Sequence, residues 1–263
     1  MAKPAITNMA VFCDFENVAL GVRDARYAKF DIGKVLERLL LKGSIVVKKA
    51  YCDWERYKEF KASMHEASFE LIEIPHISYS GKNSADIRMV VDALDLCYTK
   101  SHVDTFVIVS GDSDFSPLVS KLRENAKLVI GVGVKNSSSD LLINNCDEFI
   151  YYDDLVRADE QKRRAAKKRR ESAVGTGEDK DKKQEGFDLL VETLNALIAE
   201  RGEGERIWGS MVKQALKRRK PGFNESYYGF RSFSELLEEA EKKSLIKLEP
   251  DEKSGGHILR PAH

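Results

Sequence analysis

No stretch of this 263-residue chain supplies the roughly 20 consecutive apolar residues that a membrane-spanning helix needs. No basic-then-apolar segment opens it either, so the expected address is cytoplasmic, with no membrane partner. Cysteine is sparse. Cys13, Cys52, Cys97 and Cys146 are scattered without a Cys-x-x-Cys pair, which argues against a disulfide framework or a zinc knuckle and leaves four reduced core thiols. Net charge is absent as well: 43 Lys and Arg balance 43 Asp and Glu. Any attraction for a polyanion must therefore be local. Lys+Arg against Asp+Glu stand at 19 to 23 over residues 1–156, 11 to 7 over 157–186 and 13 to 13 over 187–263, so the middle is basic and the first part acidic.

The length suits one domain of about 150 residues plus a smaller one. Over 8–152 short apolar runs alternate with amphipathic ones. Strands are expected at 8–13, 44–51, 70–74, 106–109, 127–134 and 148–152, and helices at 32–42, 54–67, 86–98, 116–125 and 140–146. This alternation predicts an α/β fold, a parallel sheet covered by helices on both faces. Phe106, Val107, Ile108 and Val109 read as its central strand, buried on both sides.

Acidic residues follow the ends of these runs. Asp14 ends the first strand, Asp112 and Asp114 follow the central one at Ser110-Gly111, and Asp86 opens a helix. Carboxyl ends of strands are where open α/β sheets place ligands. Each position also has a structural explanation, since Asp caps helices, Gly-Asp makes turns, and a helix N-terminus favours negative charge. As a set, Asp14, Asp86, Asp112 and Asp114 have no His, Cys or Ser partner at useful spacing, which argues against nucleophilic triads and zinc hydrolysis. Carboxylates alone are hard oxygen ligands suited to Mg²⁺ or Mn²⁺, and such ions neutralise the charge that develops on a phosphodiester. Metal-dependent phosphodiester cleavage is the reaction expected.

Residues 157–170 form a basic helical run, either a solvated helix or a phosphate-binding stripe that includes Arg163 and Arg164. Residues 172–184 read as a charged, Gly-containing linker. The chain is globular again from Phe187. One helix is marked by Leu190, Leu194 and Leu197, and a second by Ile207, Met211, Val212 and Leu216. A third carries Phe233, Leu236 and Leu237, and paired strands flank Ser254-Gly255-Gly256. Three helices and a hairpin make a winged helix-turn-helix, a module that binds nucleic acid or protein.

Asp14-Phe15-Glu16-Asn17, Lys82 with Asp86 and Asp92, and Ser110-Gly111-Asp112-Ser113-Asp114-Phe115 resemble, in order, the three motifs of NYN domains, the PIN-like nucleases. The resemblance covers about residues 5–153. It implies a three-layer α/β/α fold and Mg²⁺- or Mn²⁺-dependent ribonuclease activity, with Asp14, Asp86 and Asp112 in the acidic centre and Asp114 as a further metal ligand. Asn17 matches the family's asparagine and is expected to orient a metal-bound water or a carboxylate. Lys82, Ser110, Lys135, Arg163 and Arg164 are assigned to the substrate, single-stranded RNA. Residues 187–263 resemble a LOTUS (OST-HTH) domain through Trp208-Gly209-Ser210 and Phe223-Asn224-Glu225-Ser226-Tyr227 with Gly229-Phe230, which implies RNA binding or a protein partner. The expected domains are thus 1–156, a basic helix and linker over 157–186, and 187–263. The competing reading is an RNA-binding adaptor with a nuclease-like domain and no turnover.

Overall fold

The computed structural model describes residues 7–74, 83–161, 178–202, 204–251 and 256–262. The chain divides into two compact units, Met1–Ala165 and Ala166–His263.

In the first unit the strands are β1 (Asn8–Asp14), β2 (Ser44–Cys52), β3 (Glu70–Glu73), β4 (Thr105–Val109), β5 (Leu128–Gly133) and β6 (Glu148–Tyr151). They form one sheet in the order β3-β2-β1-β4-β5-β6, and every pairing is parallel. The chain builds outward from β1 to β3, then returns to lay β4 on the other side of β1. That reversal puts the topological switch point, and hence the crevice such sheets use for ligands, between β1 and β4.

Strand periodicity sorts the core into two layers. Met9, Val11 and Cys13 pack on one face with Val35 and Leu39 of α2 (Ile32–Lys42), Val18 and Val22 of α1 (Phe15–Asp24) and Met64 of α3 (Lys58–Glu66). Ala10 and Phe12 pack on the other with Met89 and Ala93 of α4 (Ser84–Thr99), Leu118 and Leu122 of α5 (Ser116–Glu124) and Leu142 of α6 (Asp140–Asn145). Residues 152–161 form α7, and its Tyr152 closes the first layer. The expected three-layer α/β/α architecture is therefore present.

Local chemistry sets the ends. Asp31 Oδ1 accepts from the Gly33 amide at 2.9 Å to start α2, and Ser139 Oγ accepts from Leu141 at 3.2 Å to start α6. Pro117 occupies the first turn of α5. Two differences from the sequence reading stand out. Helix α1 follows β1 with no intervening loop, where no helix is expected. Helix α3 is shorter than 54–67, because the Trp54 indole donates to the Ile72 carbonyl at 3.2 Å and the Trp54 amide donates to Glu73 Oε1 at 3.0 Å, holding that turn against β3.

The second unit contains α8 (Glu178–Arg201), β7 (Ile207–Trp208), α9 (Gly209–Arg219), α10 (Phe233–Lys242), β8 (Ile246–Pro250) and β9 (His257–Pro261). The strands pair antiparallel in the order β7-β9-β8, giving the expected winged helix-turn-helix. Phe187, Leu190, Leu194, Val212, Leu216, Phe230 and Leu236 are buried in it. Helix α8 already includes residues 178–184, which the sequence reading gives to the linker. Ile207 is no helical residue: it pairs with Leu259, and the helix begins two residues later at Gly209. Ser232 caps α10 by accepting from the Glu235 amide at 3.2 Å, while the Glu235 carboxylate accepts from the Arg231 amide.

At the switch point Gly111 is required by a close approach. A Cβ there would stand 2.3 Å from the Ser137 carbonyl oxygen, and the Gly111 carbonyl accepts from the Ser139 amide at 2.9 Å. Gly111→Ala is expected to destabilise the first unit by about 1–3 kcal/mol, the usual cost of forcing extra atoms into a packed site. Chemical denaturation of the variant against the wild type measures this.

Candidate active site

The site is assembled at the carboxyl ends of the two central strands. Cys13 pairs with Val109, so Asp14, the last residue of β1, stands beside Ser110 at the end of β4. Asp14 is only 7% exposed. Its Oδ2 accepts from the Ser110 hydroxyl at 2.9 Å and its Oδ1 accepts from the Asn17 amide at 3.4 Å, where it also caps α1. Ser110 Oγ in turn accepts from the Asp112 amide at 3.2 Å, and Asp112 Oδ1 accepts from the Asp114 amide at 3.0 Å. Asn17 Oδ1 accepts from the Gly111 amide at 2.9 Å. The first turn of α1 and the segment after β4 are thus tied together by side chains of the two motifs.

Asp86 comes from the first turn of α4, at the same rim. Burial raises the Asp14 carboxyl to about 7, with the neighbouring Asp86 carboxylate adding to the effect and Asp112 adding less; the bonds from Ser110 and Asn17 act the other way. Asp86 is raised to about 6, first by burial, then by Asp112, Asp114 and Glu16. The three elements therefore bring Asp14, Asp86, Asp112 and Asp114 into one mutually repelling group. No described Lys or Arg forms an ion pair with any of them. Among the described residues no three His, Cys, Asp or Glu side chains meet at direct metal-ligand separation.

Several sequence assignments acquire definite places. Asp14 and Asp112 do serve as caps, as the structural explanation held, while still belonging to the acidic group. Ser110 has no exposed surface, so its hydroxyl supports Asp14 and the Asp112 backbone rather than reaching a substrate directly. The Asn17 carbonyl oxygen accepts from the Gly111 amide and so ties the first turn of α1 to the segment after β4. Lys135 is exposed just past β5, with its amide donating to Asp153 Oδ2 at 2.8 Å. Asp92 points elsewhere: it accepts from Tyr51 at 2.9 Å and from Arg88 at 3.0 Å, and pairs with Lys49 at 3.4 Å. Burial acts to raise its carboxyl, but these partners hold it below the ordinary carboxylate value. Lys82, Arg163 and Arg164 lie outside the described residues.

Glu16 is a further acidic neighbour that the motif assignments do not include. It adjoins the group, adds to the repulsion on Asp86, and is held by Arg56 at 3.2 Å. Its signal was its place inside the Asp14–Asn17 motif. A second omission is an open groove of about 690 Å³ beside Asp86 and Asp114, between α4 and α5. Its exposed aliphatic residues carry no motif.

A six-stranded parallel sheet with carboxylates over the ends of its middle strands defines a PIN-like α/β domain of nuclease type. The NYN domain model matches residues 8–153, more than half of the sequence, and the chain belongs to this family. The OST-HTH/LOTUS domain model matches residues 188–251. An uncharacterized protein of Methanocaldococcus jannaschii is 30% identical over 132 residues, which are 50% of this chain and 52% of that protein. Meiosis regulator and mRNA stability factor 1 of Xenopus tropicalis is 28% identical over 148 residues, 56% of this chain and 9% of the relative. The chain thus spans about half the length of the archaeal relative and about a tenth of the vertebrate one. A crystal structure of a Vibrio parahaemolyticus protein of unknown function superposes with a TM-score of 0.52 at 28% identity, covering 59% of this chain and 98% of its own.

The raised carboxyl of Asp14 has a consequence for stability. Its pKa in the fold is about 7 against an ordinary value of 3.8, so the proton is held more tightly when folded, and stability is lost as pH rises between these values. Asp14→Asn removes that loss. At pH 8 and without divalent ions the variant is expected to be more stable than wild type by on the order of 4 kcal/mol, and the difference should vanish below about pH 4. Thermal unfolding of both proteins across this range, in a chelator, provides the check.

Proposed function

We propose that the chain is a metal-dependent ribonuclease that hydrolyses phosphodiester bonds of single-stranded RNA at the Asp14, Asp86, Asp112 and Asp114 group. The observation that carries this reading is the convergence of carboxylates from three elements on the switch point, where burial and neighbouring carboxylates raise Asp14 and Asp86, with no described cation to offset the group. Such oxygen donors fit Mg²⁺ or Mn²⁺. Mg²⁺ is commonly held by one or two carboxylates and keeps several of its waters. When bound, the ion would lower the pKa of a water and offset charge on the phosphodiester. Ser110 and Asn17 hold two of the carboxylate-bearing segments in register, and Lys135 on the same rim supplies a positive charge for the strand. The mRNA stability named in the vertebrate relative supports RNA as the substrate class. The OST-HTH module and the basic run with Arg163 and Arg164 are assigned to holding RNA, the module also being able to dock a protein, and the address remains cytoplasmic.

RNA binding without turnover is the second reading. It is favoured by the lack, among the described residues, of three metal-binding side chains at direct ligand distance. Incubation with mixed RNA, with and without Mn²⁺, and sequencing of the new ends separates the two. Wild type should cut only with the ion. Asp112→Asn should lose at least about 100-fold in rate together with the ion's thermal stabilisation, because charge at the reacting centre is usually worth that much. Normal turnover by this variant with unchanged metal affinity would remove the proposed centre.

The basic run makes a separate forecast. Each phosphate it neutralises steepens the log-log salt dependence of single-strand binding by about 0.7. Replacing Arg163, Arg164, Arg169 and Arg170 with Gln should therefore flatten the slope and weaken all sequences alike. A salt titration in the Asp112→Asn background reads this; parallel lines of equal affinity would show a merely solvated helix.

A further inference from the structure

On the other side of α1 from these carboxylates' α4 and α5 neighbours, the first unit holds a second cavity of about 390 Å³, within the range of small-molecule sites. It lies between the second half of α1, the segment leading to α2 and the start of α3. Arg23, Lys29 and Arg56, all exposed, line it against the single carboxylate of Glu59, and Tyr27, Tyr57 and Phe60 supply half-buried rings. Residues 1–156 carry 19 bases against 23 acids, so this is a local reversal of the unit's charge. The cations are loosely held. Arg23 pairs with Asp24 and Arg56 with Glu16, each at 3.2 Å and exposed, the kind of pair that contributes little. Lys29 forms no ion pair among the described residues; its Nζ donates to the Glu59 carbonyl at 2.9 Å and lies 4.3 Å from the centre of the Phe60 ring. Two consecutive residues join the cavity to the acidic group. Phe15, next to Asp14, sets its ring centre 5.6 Å from that of Tyr57 and 5.0 Å from that of Phe60, and Glu16, a neighbour of Asp86, holds Arg56. Arg23 lies seven residues along α1 from Glu16, about 11 Å.

We infer that this cavity takes a nucleotide of single-stranded RNA flanking the scissile bond: its base lies among Tyr27, Tyr57 and Phe60, and its phosphate meets Arg23, Lys29 and Arg56. The inference rests on the ribonuclease reading for a strand at the acidic group, while the cavity's own rings and cations argue for a nucleotide and need no metal. Aromatic rings beside a positive groove are the means by which proteins hold single strands without regard to sequence, since every base has a flat face. An acidic peptide would satisfy the cations and bring nothing flat for the rings. An apolar one would cover the rings and bury three charges unpaired, which is costly. A strand anchored here also meets positive charge beside a group of carboxylates that would otherwise repel it.

The test uses the full chain in a chelator and a short 2′-O-methyl oligonucleotide, resistant to cleavage, that carries 5-iodouridine. Irradiation should cross-link the base to Tyr27, Tyr57 or Phe60, read by mass spectrometry of the digested protein. Arg23→Gln combined with Lys29→Gln, both at exposed positions, should flatten the log-log salt dependence of binding by about 1.4, two phosphate contacts at about 0.7 each. The double variant should also raise KM for RNA, while its unfolding midpoint stays at the wild-type value. Cross-links confined to other parts of a chain that cleaves RNA, with parallel salt lines for the double variant, overturn the subsite and leave the ribonuclease reading intact. Cross-links in the cavity of a chain that never cleaves support the subsite and sink the catalytic reading. Uridine monophosphate that binds as tightly as the oligonucleotide overturns the inference in favour of a free nucleotide. Polyglutamate that matches the oligonucleotide's affinity, and is weakened equally by the double variant, overturns it in favour of an acidic polypeptide.

Discussion

The Ser110 hydroxyl, fully buried, donates to Asp14 and receives the Asp112 amide, so a single oxygen atom joins the ends of the two central strands. With Asn17 bonded to Gly111, this contact fixes the spacing of the carboxylates that close β1 and β4. Almost everything else in the first unit supports that spacing. The parallel register sets Cys13 beside Val109, two aliphatic layers clamp the sheet, and the close approach of Gly111 to Ser137 seats the loop after β5. The electrostatic cost is visible in the raised Asp14 and Asp86 carboxyls. A fold that gathers like charges in a sheltered place and offers no described counter-charge spends stability on something other than folding.

Most of the architecture was legible because buried parallel strands advertise themselves. The runs at 8–13, 106–109 and 127–134 contain hardly any charge, and Pro117 and Asp31 mark helix starts by mechanisms that act locally. What escaped was set by tertiary contacts. Helix α1 begins without a loop and has Gly21 in its middle, where a Cβ would strike Ser137, so its helical pattern is interrupted by a residue chosen for packing. Ile207 has the spacing of a helix residue but is taken by β9 as a strand partner.

The site divides in the same way. Positions at strand ends could be read from order alone, and Asp14, Asp86, Asp112 and Asp114 are found together. The work of each side chain could not be read. Ser110 looks like a substrate group in its motif and Asn17 like one that orients a metal-bound water or a carboxylate, whereas their oxygens are used on the Asp14 carboxylate and the chain's own backbone. Asp92 is the exception: six positions further along α4 than Asp86, it is expected on another face from helix geometry alone, and there it pairs with Lys49.

The order of the sheet also dictates when the site can exist during synthesis and refolding. Asp14 and Ser110 are 96 positions apart, and β4 can join β1 only after β2, β3 and the intervening helices have been made. Closing so long a loop is an entropic barrier that local helices do not face, so the β1–β4 seam belongs among the later contacts to form. A partly folded chain then holds Asp14 in a strand whose neighbour is missing, open to water and without its paired acids. The acidic group, on this topology, is assembled as one of the last events of folding, so an unfinished molecule carries its carboxylates apart and solvated.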